Sequence, residues 1–233
     1  MADICLEKVV KTTLGNNIHI KSSNLRAKNH FDDPSSYGDF IINQINQSNI
    51  YKQYLSGTDL VILDIGANIG LFSLHCVDCA KQVYSFEPTP SHFNLLKEFT
   101  LPYKNIQPVN VAISDCDGDI DFYLCEHNTT MNSLKNKYGT KVTVNGRSII
   151  SFLEEKDIKK VDFIKCDIEG SEMIALKPDC IKPLFDIVDK WFIEVHATDL
   201  STENNRNILA YTFESIGYSS EKIGHDTLFI FKK

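Results

Sequence analysis

The sequence has little that would suit a membrane, an export route or a nucleic-acid partner. It contains no apolar run of transmembrane length, and its N-terminus lacks the short apolar core of a signal peptide. Basic residues are also outnumbered, because 24 lysines and arginines stand against 31 aspartates and glutamates and leave a formal net charge of −7. An acidic chain has no global field that attracts phosphate backbones. We therefore expect no membrane span and no nucleic-acid partner.

Cysteines are too few, and odd in number, for a disulfide framework. There are seven in 233 residues, and Cys166 lies in a strongly apolar run. This pattern predicts reduced thiols and hence a cytoplasmic, reducing compartment. Hydrophobic residues make up 42% of the chain, which is enough for a core. The length suits one α/β domain with a short extension.

After about residue 58, short apolar runs alternate with helical patterns. The apolar runs predict five strands, at Leu60–Ile65, Gln82–Phe86, Ile106–Ile113, Val161–Cys166 and Lys190–Val195. Strands that alternate with helices form a mostly parallel, doubly wound sheet. The last two runs, Tyr218–Glu221 and Thr227–Phe231, are separated by too few residues for a helical crossover, so they predict an antiparallel hairpin.

The same patterns divide the chain into an extension and a main domain. Residues 1–58 are polar and mixed, with half of a small hairpin at Asn17–Ile20, and we interpret them as a segment that binds an acceptor or acts as a lid. Residues 59–233 form the main domain, which an insertion at about 116–147 interrupts. Two extra strands over the carboxyl edge of the sheet are predicted in this insertion, at Asp119–Cys125 and Lys141–Val144.

The strongest motif is a glycine turn between the first predicted strand and the helix that follows it. Its form is D-x-G-x-N-x-G over residues 64–70, whereas a dinucleotide fingerprint, G-x-G-x-x-G, would need glycine where Leu71 stands. The glycines permit close approach of a ligand, and the helix N-terminus offers unpaired N–H groups. The aspartate suits an amino-acid-bearing ligand, because it can face the ammonium group. The predicted cofactor-binding residues of the turn are Asp64, Gly66, Ala67, Asn68 and Gly70.

Two further strand ends lie where the rest of such a cofactor is expected. Glu87 ends the second strand, where an acid accepts hydrogen bonds from ribose hydroxyls, and Pro88 then turns the chain. Ala112 and Ile113 end the third predicted strand, where an adenine ring would lie, and Asp115 follows as an acceptor for the adenine amine. Alone, Glu87 would be interpreted as a solvated charge, but the preceding glycine turn favours the ribose role.

The fourth and fifth strands also deliver polar side chains to the carboxyl edge of the sheet. Asp167 and Glu169 follow the fourth strand, and Glu194 and His196 lie at the carboxyl end of the fifth. We expect Asp167, Glu194 and His196 to converge, either on a hard cation such as Mg²⁺ or Mn²⁺ or as a general base with its partners. Capping of the next helix is the alternative role for Glu169 and Glu172.

Taken in chain order, these motifs resemble the FkbM family of methyltransferases over about Asp59 to Ala197. The matching segments are residues 64–70, Phe86–Pro88, Val111–Asp115 with Gly118, Val161–Gly170 and Glu194–His196. The resemblance implies a Rossmann-like class I methyltransferase fold, S-adenosylmethionine as methyl donor, and a hydroxyl acceptor on a sugar, glycan or polyketide-type product. Carried onto this chain, it makes the glycine turn the donor site, Glu87 the ribose ligand, and Asp167 with Glu194 and His196 the catalytic edge.

The residues and the resemblance together predict an O-methyltransferase that acts on a sugar or glycan hydroxyl. We assign removal of the hydroxyl proton first to His196 and second to Asp167, and a metal held by Asp167, Glu194 and His196 is the alternative. The side chains expected to edge the acceptor cleft are Tyr37, His127, Asn128, Asn132, Tyr138 and His196.

Two rival functions stay open at this point. One is a nicotinamide-dependent oxidoreductase, which the missing fingerprint glycine and the terminal hairpin disfavour. The other is an inactive module that only binds the cofactor, which the carboxylates at both strand ends disfavour.

Overall fold

The computed structural model describes residues 6–22, 51, 53–124, 134 and 139–232. The strands are β1 (Leu6–Lys11), β2 (Asn17–Ser22), β3 (Leu60–Ile65), β4 (Ala80–Phe86), β5 (Ile106–Val109), β6 (Ala112–Ile113), β7 (Gly118–Leu124), β8 (Thr140–Arg147), β9 (Phe163–Cys166), β10 (Lys190–Glu194), β11 (Ser219–Ile223) and β12 (Thr227–Phe231). The α-helices are α1 (Leu71–His75), α2 (Pro90–Thr100), α3 (Ile149–Glu155), α4 (Glu172–Ala175), α5 (Pro178–Ile181) and α6 (Thr202–Ser215), and a 3₁₀ turn follows α5 at Lys182–Leu184.

Seven strands form the central sheet, in the order β11-β12-β10-β9-β3-β4-β5. The five strands from β10 to β5 run parallel to one another, and β12 is antiparallel to both β10 and β11. The predicted doubly wound sheet with an antiparallel hairpin is therefore confirmed. Strand order reverses between β3 and β9, and ligands in open α/β sheets bind at the carboxyl ends beside such a switch point.

Two strands in the middle of the sheet, β9 and β10, are buried on both faces, which explains why most of their residues are apolar. All four residues of β9 are buried, and so are Trp191 to Ile193 in β10. The Trp191 ring packs edge-on against Phe213 of α6, with ring centroids 5.2 Å apart. A rigid, buried pair of strands therefore carries the residues that follow them at the carboxyl edge.

The third strand is shorter than the sequence predicted. β5 ends at Val109, and Ala112 and Ile113 form β6, which pairs in parallel with β8 in a separate three-stranded sheet. The amide of Val111 donates to the carbonyl of Val109 (3.1 Å), and Ser114 donates to a carbonyl of β8, so the chain turns away from the central sheet. The prediction that Ala112 and Ile113 end a strand of the central sheet is wrong for this reason.

The insertion supplies the other two strands of this small sheet. β7 and β8 pair antiparallel, with Ile120 opposite Val144 and Phe122 opposite Val142, so both runs predicted there are strands. Between them, the amide of Leu134 donates to the hydroxyl of Ser171 at 3.0 Å. This contact places Leu134 at the start of α4, beside the carboxyl end of β9.

The N-terminal hairpin packs against the main domain. β1 and β2 pair antiparallel, and Val10 and Ile18 are buried. Asp78 accepts hydrogen bonds from the hydroxyls of Thr12 and, at 2.7 Å, Thr13. The hairpin is therefore held on the domain by both apolar and polar contacts. The lid or acceptor role proposed for residues 1–58 stays a prediction.

Two further features of the described part of the chain concern its thiols and its helices. Free thiols are found at Cys76, Cys79, Cys116, Cys166 and Cys180. Of the helices that the structure describes, none combines the length and the apolar character needed to cross a bilayer.

Candidate active site

The glycine turn is wedged between the ends of β4 and β9. The amides of Gly66 and Ala67 both donate to the carbonyl of Phe86, at 3.1 and 2.8 Å. Gly66 has φ +79°, and a Cβ at this position would lie 1.8 Å from the carbonyl oxygen of Asp167. Only glycine therefore permits this turn to approach the end of β9, and this contact joins the predicted donor site to the predicted catalytic edge.

Glu87 ties the turn to the end of β4. The residue is buried, and its carboxylate accepts the amide of Asn68 at 3.0 Å and the amide of Thr89 at 2.8 Å. Asn68 has φ +51°, in the left-handed region that asparagine tolerates better than most residues, and this bond holds the turn in that conformation. The ribose role of Glu87 stays a prediction; each carboxylate oxygen has a second lone pair with which to accept a hydroxyl.

Asp64 lies beneath the turn rather than on its surface. It is fully buried, its Oδ2 accepts the Ser73 hydroxyl at 2.6 Å, and its Oδ1 is 3.7 Å from the ammonium of Lys165. Burial raises the pKa of Asp64, and Lys165 opposes that effect. The contact predicted between Asp64 and a ligand ammonium stays a prediction, but the chain already places an ammonium of its own there.

The residues predicted to surround an adenine ring are less clearly arranged. Ala112 and Ile113 are buried in the small sheet. Asp115 accepts a hydrogen bond from the Lys177 ammonium at 2.5 Å, and this bond lowers the pKa of Asp115. After β4, the side-chain amide of Asn110 donates to the carbonyls of both Glu87 (2.8 Å) and Pro88 (3.2 Å). The adenine assignment stays a prediction.

The predicted catalytic residues lie around one imidazole ring. Nε2 of His196 is 3.8 Å from Oε1 of Glu194, 3.9 Å from Oδ1 of Asp167 and 3.5 Å from Oε2 of Glu169. Nδ1 is 3.0 Å from Oε1 of Glu172. The carboxyl ends of β9 and β10 therefore do bring Asp167, Glu194 and His196 together, and two more carboxylates join them.

Glu172 is the inner support of this cluster. It is fully buried, and the oxygen that contacts His196 also accepts the backbone amides of Ile168 and Gly170, each at 3.2 Å. Glu172 thus holds both the loop before α4 and the ring of His196, and the helix-capping role that the sequence allowed for it stays a prediction. Glu169, with φ +53°, lies on the turn that these amides form.

The crowded carboxylates alter the protonation of the cluster. Burial lowers the pKa of His196, but the bond to Glu172 and the neighbouring carboxylates outweigh it and raise that pKa to about 10. The charge of Asp167, helped by burial, raises the pKa of Glu194 to about 7. Burial raises the pKa of Glu169 to about 8. At neutral pH, His196 therefore carries a proton, and Glu194 lies near its titration midpoint.

The residues best placed to share a cation differ from the predicted set. One ligand atom each from Asp167, Glu169 and His196 lie within 4.8 Å of one another. In a metal site Glu169 would therefore take the place that the sequence assigned to Glu194, because the loop after β9 curls back toward the ring, and the metal itself stays a prediction.

The sequence did not predict one charged member of the site, Lys165. The predicted acceptor-cleft residues, apart from His196, lie outside the described ranges. Lys165 lies under the turn and contacts Gly66, Asp64 and Asp167. A lysine inside a buried apolar strand was the available signal. The acceptor-cleft residues predicted outside the described ranges are Tyr37, His127, Asn128, Asn132 and Tyr138.

The family of the chain follows from a match that spans both halves of this site. A family model described as "Methyltransferase FkbM domain" matches residues 64–220. The chain belongs to the FkbM methyltransferase family. The matched range contains the glycine turn, Glu87 and every carboxylate around His196.

Two relatives of known function resemble the chain over about half of its length. It is 29% identical over 143 residues to the hexuronic acid methyltransferase AglP of Haloferax volcanii. This match covers 60% of the chain and 57% of AglP. It is 26% identical over 137 residues to the 2-O-methyltransferase NoeI of Sinorhizobium fredii. That match covers 51% of the chain and 56% of NoeI. This FkbM chain thus spans a little over half the length of either relative.

The fold resembles that of a solved protein structure. The fibrillarin pre-rRNA processing protein of Methanococcus jannaschii superimposes with a TM-score of 0.50, over 99% of this chain and 98% of that protein, at 13% sequence identity. The strand order of the FkbM chain, with β12 inserted between β10 and β11, is therefore a Rossmann-like class I methyltransferase fold.

A substitution at Glu87 tests the donor half of the site. We expect Glu87→Ala to weaken S-adenosylhomocysteine binding by about 1.5–3 kcal/mol, the scale of hydrogen bonds to a charged group. Titration calorimetry measures this, with urea unfolding as a check on folding. Glu154→Ala, an exposed glutamate on α3, is the control. Wild-type affinity in a folded Glu87→Ala variant contradicts the ribose assignment.

Proposed function

We propose that the protein is an S-adenosylmethionine-dependent O-methyltransferase that acts on a hydroxyl of a sugar or glycan. The observation that carries the proposal is the direct contact between the glycine turn and the carboxylates around His196. Gly66 packs on Asp167, and the amide of Asp167 donates to the carbonyl of Ile65 at 3.0 Å. The names of the two relatives, a hexuronic acid methyltransferase and a 2-O-methyltransferase, support a sugar hydroxyl as acceptor.

The residues of the turn fit the donor that the family implies. The backbone of residues 66–70 lies at the switch point, and the buried carboxylate of Glu87 is fixed beside it. Both groups suit a ligand with an amino-acid end and a ribose. When bound, S-adenosylmethionine supplies an electrophilic methyl group. The role of the chain is then to align the acceptor oxygen and to accept its proton.

Glu194 is best suited to accept that proton. Its side chain is 42% exposed, more than those of Asp167, Glu169 and His196, so an acceptor can reach it. A general base works best when its pKa lies near the working pH, and the pKa of Glu194 is about 7. His196, the first choice from the sequence, holds its own proton and instead neutralises the carboxylates around it.

The side chains at this edge are polar and can hydrogen-bond a sugar acceptor. A sugar also offers many hydroxyls to polar groups and needs no strong single contact.

Transfer of label from S-adenosylmethionine to a panel of neutral and acidic glycans tests the proposal. We expect label on at least one glycan, as a methyl ether stable to mild base. Methylation of RNA or protein with every glycan ignored overturns the acceptor class. Tight binding of NAD in place of S-adenosylhomocysteine overturns the reaction class and favours the oxidoreductase.

Because the proposal assigns proton transfer to Glu194, it expects turnover to survive exhaustive chelation. Turnover measured before and after treatment with EDTA, and again after addition of Mg²⁺ or Mn²⁺, checks this. Loss on chelation with recovery on Mg²⁺ or Mn²⁺ would instead assign the acceptor hydroxyl to a cation held by Asp167, Glu169 and His196.

A further inference from the structure

Lys165 is a buried charge in the floor of the site that the proposed chemistry leaves unused. It lies in β9 between Ile164 and Cys166, both fully buried, and its own side chain is only 9% exposed. Lysine is almost never buried in this way unless it is paired. Its partners therefore indicate its role.

The ammonium of Lys165 joins the two halves of the site. It donates to the carbonyl of Gly66 at 3.0 Å and lies 3.3 Å from Oδ2 of Asp167. Its third neighbour is Oδ1 of Asp64, at 3.7 Å. Asp64 and Lys165 are register partners across the parallel pair β3 and β9, so the backbone fixes this arrangement.

The two carboxylate oxygens of Asp167 face two different cationic groups. Its Oδ2 faces Lys165, and its Oδ1 faces Nε2 of His196 at 3.9 Å. A carboxylate is planar, so a contact that holds one oxygen also sets the direction of the other. Burial alone would lower the pKa of Lys165, but Asp167 and Asp64 raise it, so the ammonium is a permanent charge.

We propose that Lys165 is a positioning residue: its ammonium orients the carboxylate of Asp167 against the glycine turn, so that Oδ1 faces His196 and the acceptor. This inference rests on the proposed function. The competing role is a purely structural one, in which Lys165 only neutralises Asp64. Asp64 is fully buried, and while its Oδ1 faces Lys165, its Oδ2 accepts the hydroxyl of Ser73.

A pair of variants separates the two roles. Lys165→Met alone leaves Asp64 as an uncompensated buried charge and is expected to unfold readily. The double variant D64N/K165M removes both charges, so it is expected to fold, and D64N is its reference. At saturating S-adenosylmethionine, positioning predicts that kcat of the double variant falls about 100-fold below that of D64N, the scale of a misplaced reacting group. The KM for S-adenosylmethionine should change much less. K160M, at an exposed lysine that pairs with Asp189, is the control.

Equal kcat values for D64N and D64N/K165M would overturn the proposal and leave Lys165 as a counter-charge. A second measurement needs no activity. In the D64N background, urea unfolding of the K165M and D167N single and combined variants gives a double-mutant cycle. Positioning requires a coupling between Lys165 and Asp167 that persists without Asp64, and additive effects overturn it. If the wild type transfers no methyl group to any acceptor, the proposed function fails, and this cycle still decides the role of Lys165.

Discussion

Gly66→Ala is expected to abolish S-adenosylhomocysteine binding and to lower the free energy of unfolding by about 2–5 kcal/mol, the sum of overpacking and of a left-handed alanine. A Cβ at this position would meet the carbonyl oxygen of Asp167 at 1.8 Å, so the turn and the end of β9 must separate. Calorimetry with S-adenosylhomocysteine and urea unfolding measure the two effects.

Gly118→Ala is the matched control for this substitution. Gly118 also has a positive φ, +113°, but a Cβ there would meet no heavy atom within 4 Å. It therefore reports the cost of the backbone conformation alone, and it should leave cofactor affinity unchanged. Wild-type affinity in Gly66→Ala would show that the close contact between the turn and Asp167 is dispensable for the donor.

Glu194→Gln is expected to lower kcat roughly 10²–10⁴-fold, the usual contribution of a general base. Affinity for S-adenosylhomocysteine should stay near that of the wild type, because Glu194 lies on β10 and the turn lies after β3. Glutamine keeps the size of the side chain but accepts no proton.

The pH profile supplies a second readout for Glu194. A base must be deprotonated to act, so wild-type kcat/KM should rise with pH through the Glu194 pKa of about 7 and then level off. In the glutamine variant this rise should be absent from the residual activity. Glu221→Gln, on an exposed residue of β11, is the control. An unchanged profile in Glu194→Gln would move the base to Asp167.

Much of the site could be predicted because chain order alone places it. In a parallel sheet every carboxyl end lies on one edge, so residues directly after strands share that edge whatever the register. The glycine turn, Asp167, Glu194 and His196 follow this rule, and the structure brings them together. Prediction failed at Ala112 and Ile113, because an apolar run does not reveal that the chain turns out of the sheet within it.

The contacts that set protonation could not be predicted in the same way. Lys165 meets Asp64 only because β3 and β9 pair in one register, and register depends on packing of the whole sheet. Glu169 reaches His196 through a backbone conformation that favours glycine. From the sequence, a histidine at a strand end is the natural first choice as base. In the structure, four carboxylates surround His196, two of them from one short loop, and they raise its pKa, so Glu194 is the better choice.

The position of β12 in the chain determines the order in which the strands of the two halves of the site are synthesised. β12 follows every other strand in the chain, yet it pairs with β10, with Thr227 opposite Glu194 and the amide of Val195 donating to the carbonyl of Asp226 at 2.9 Å. The backbone that carries Glu194 and His196 therefore lacks its outer neighbour until β12 has been synthesised. The strands of the donor half, β3, β4 and β9, are therefore synthesised before β12, the strand that completes the edge carrying Glu194 and His196.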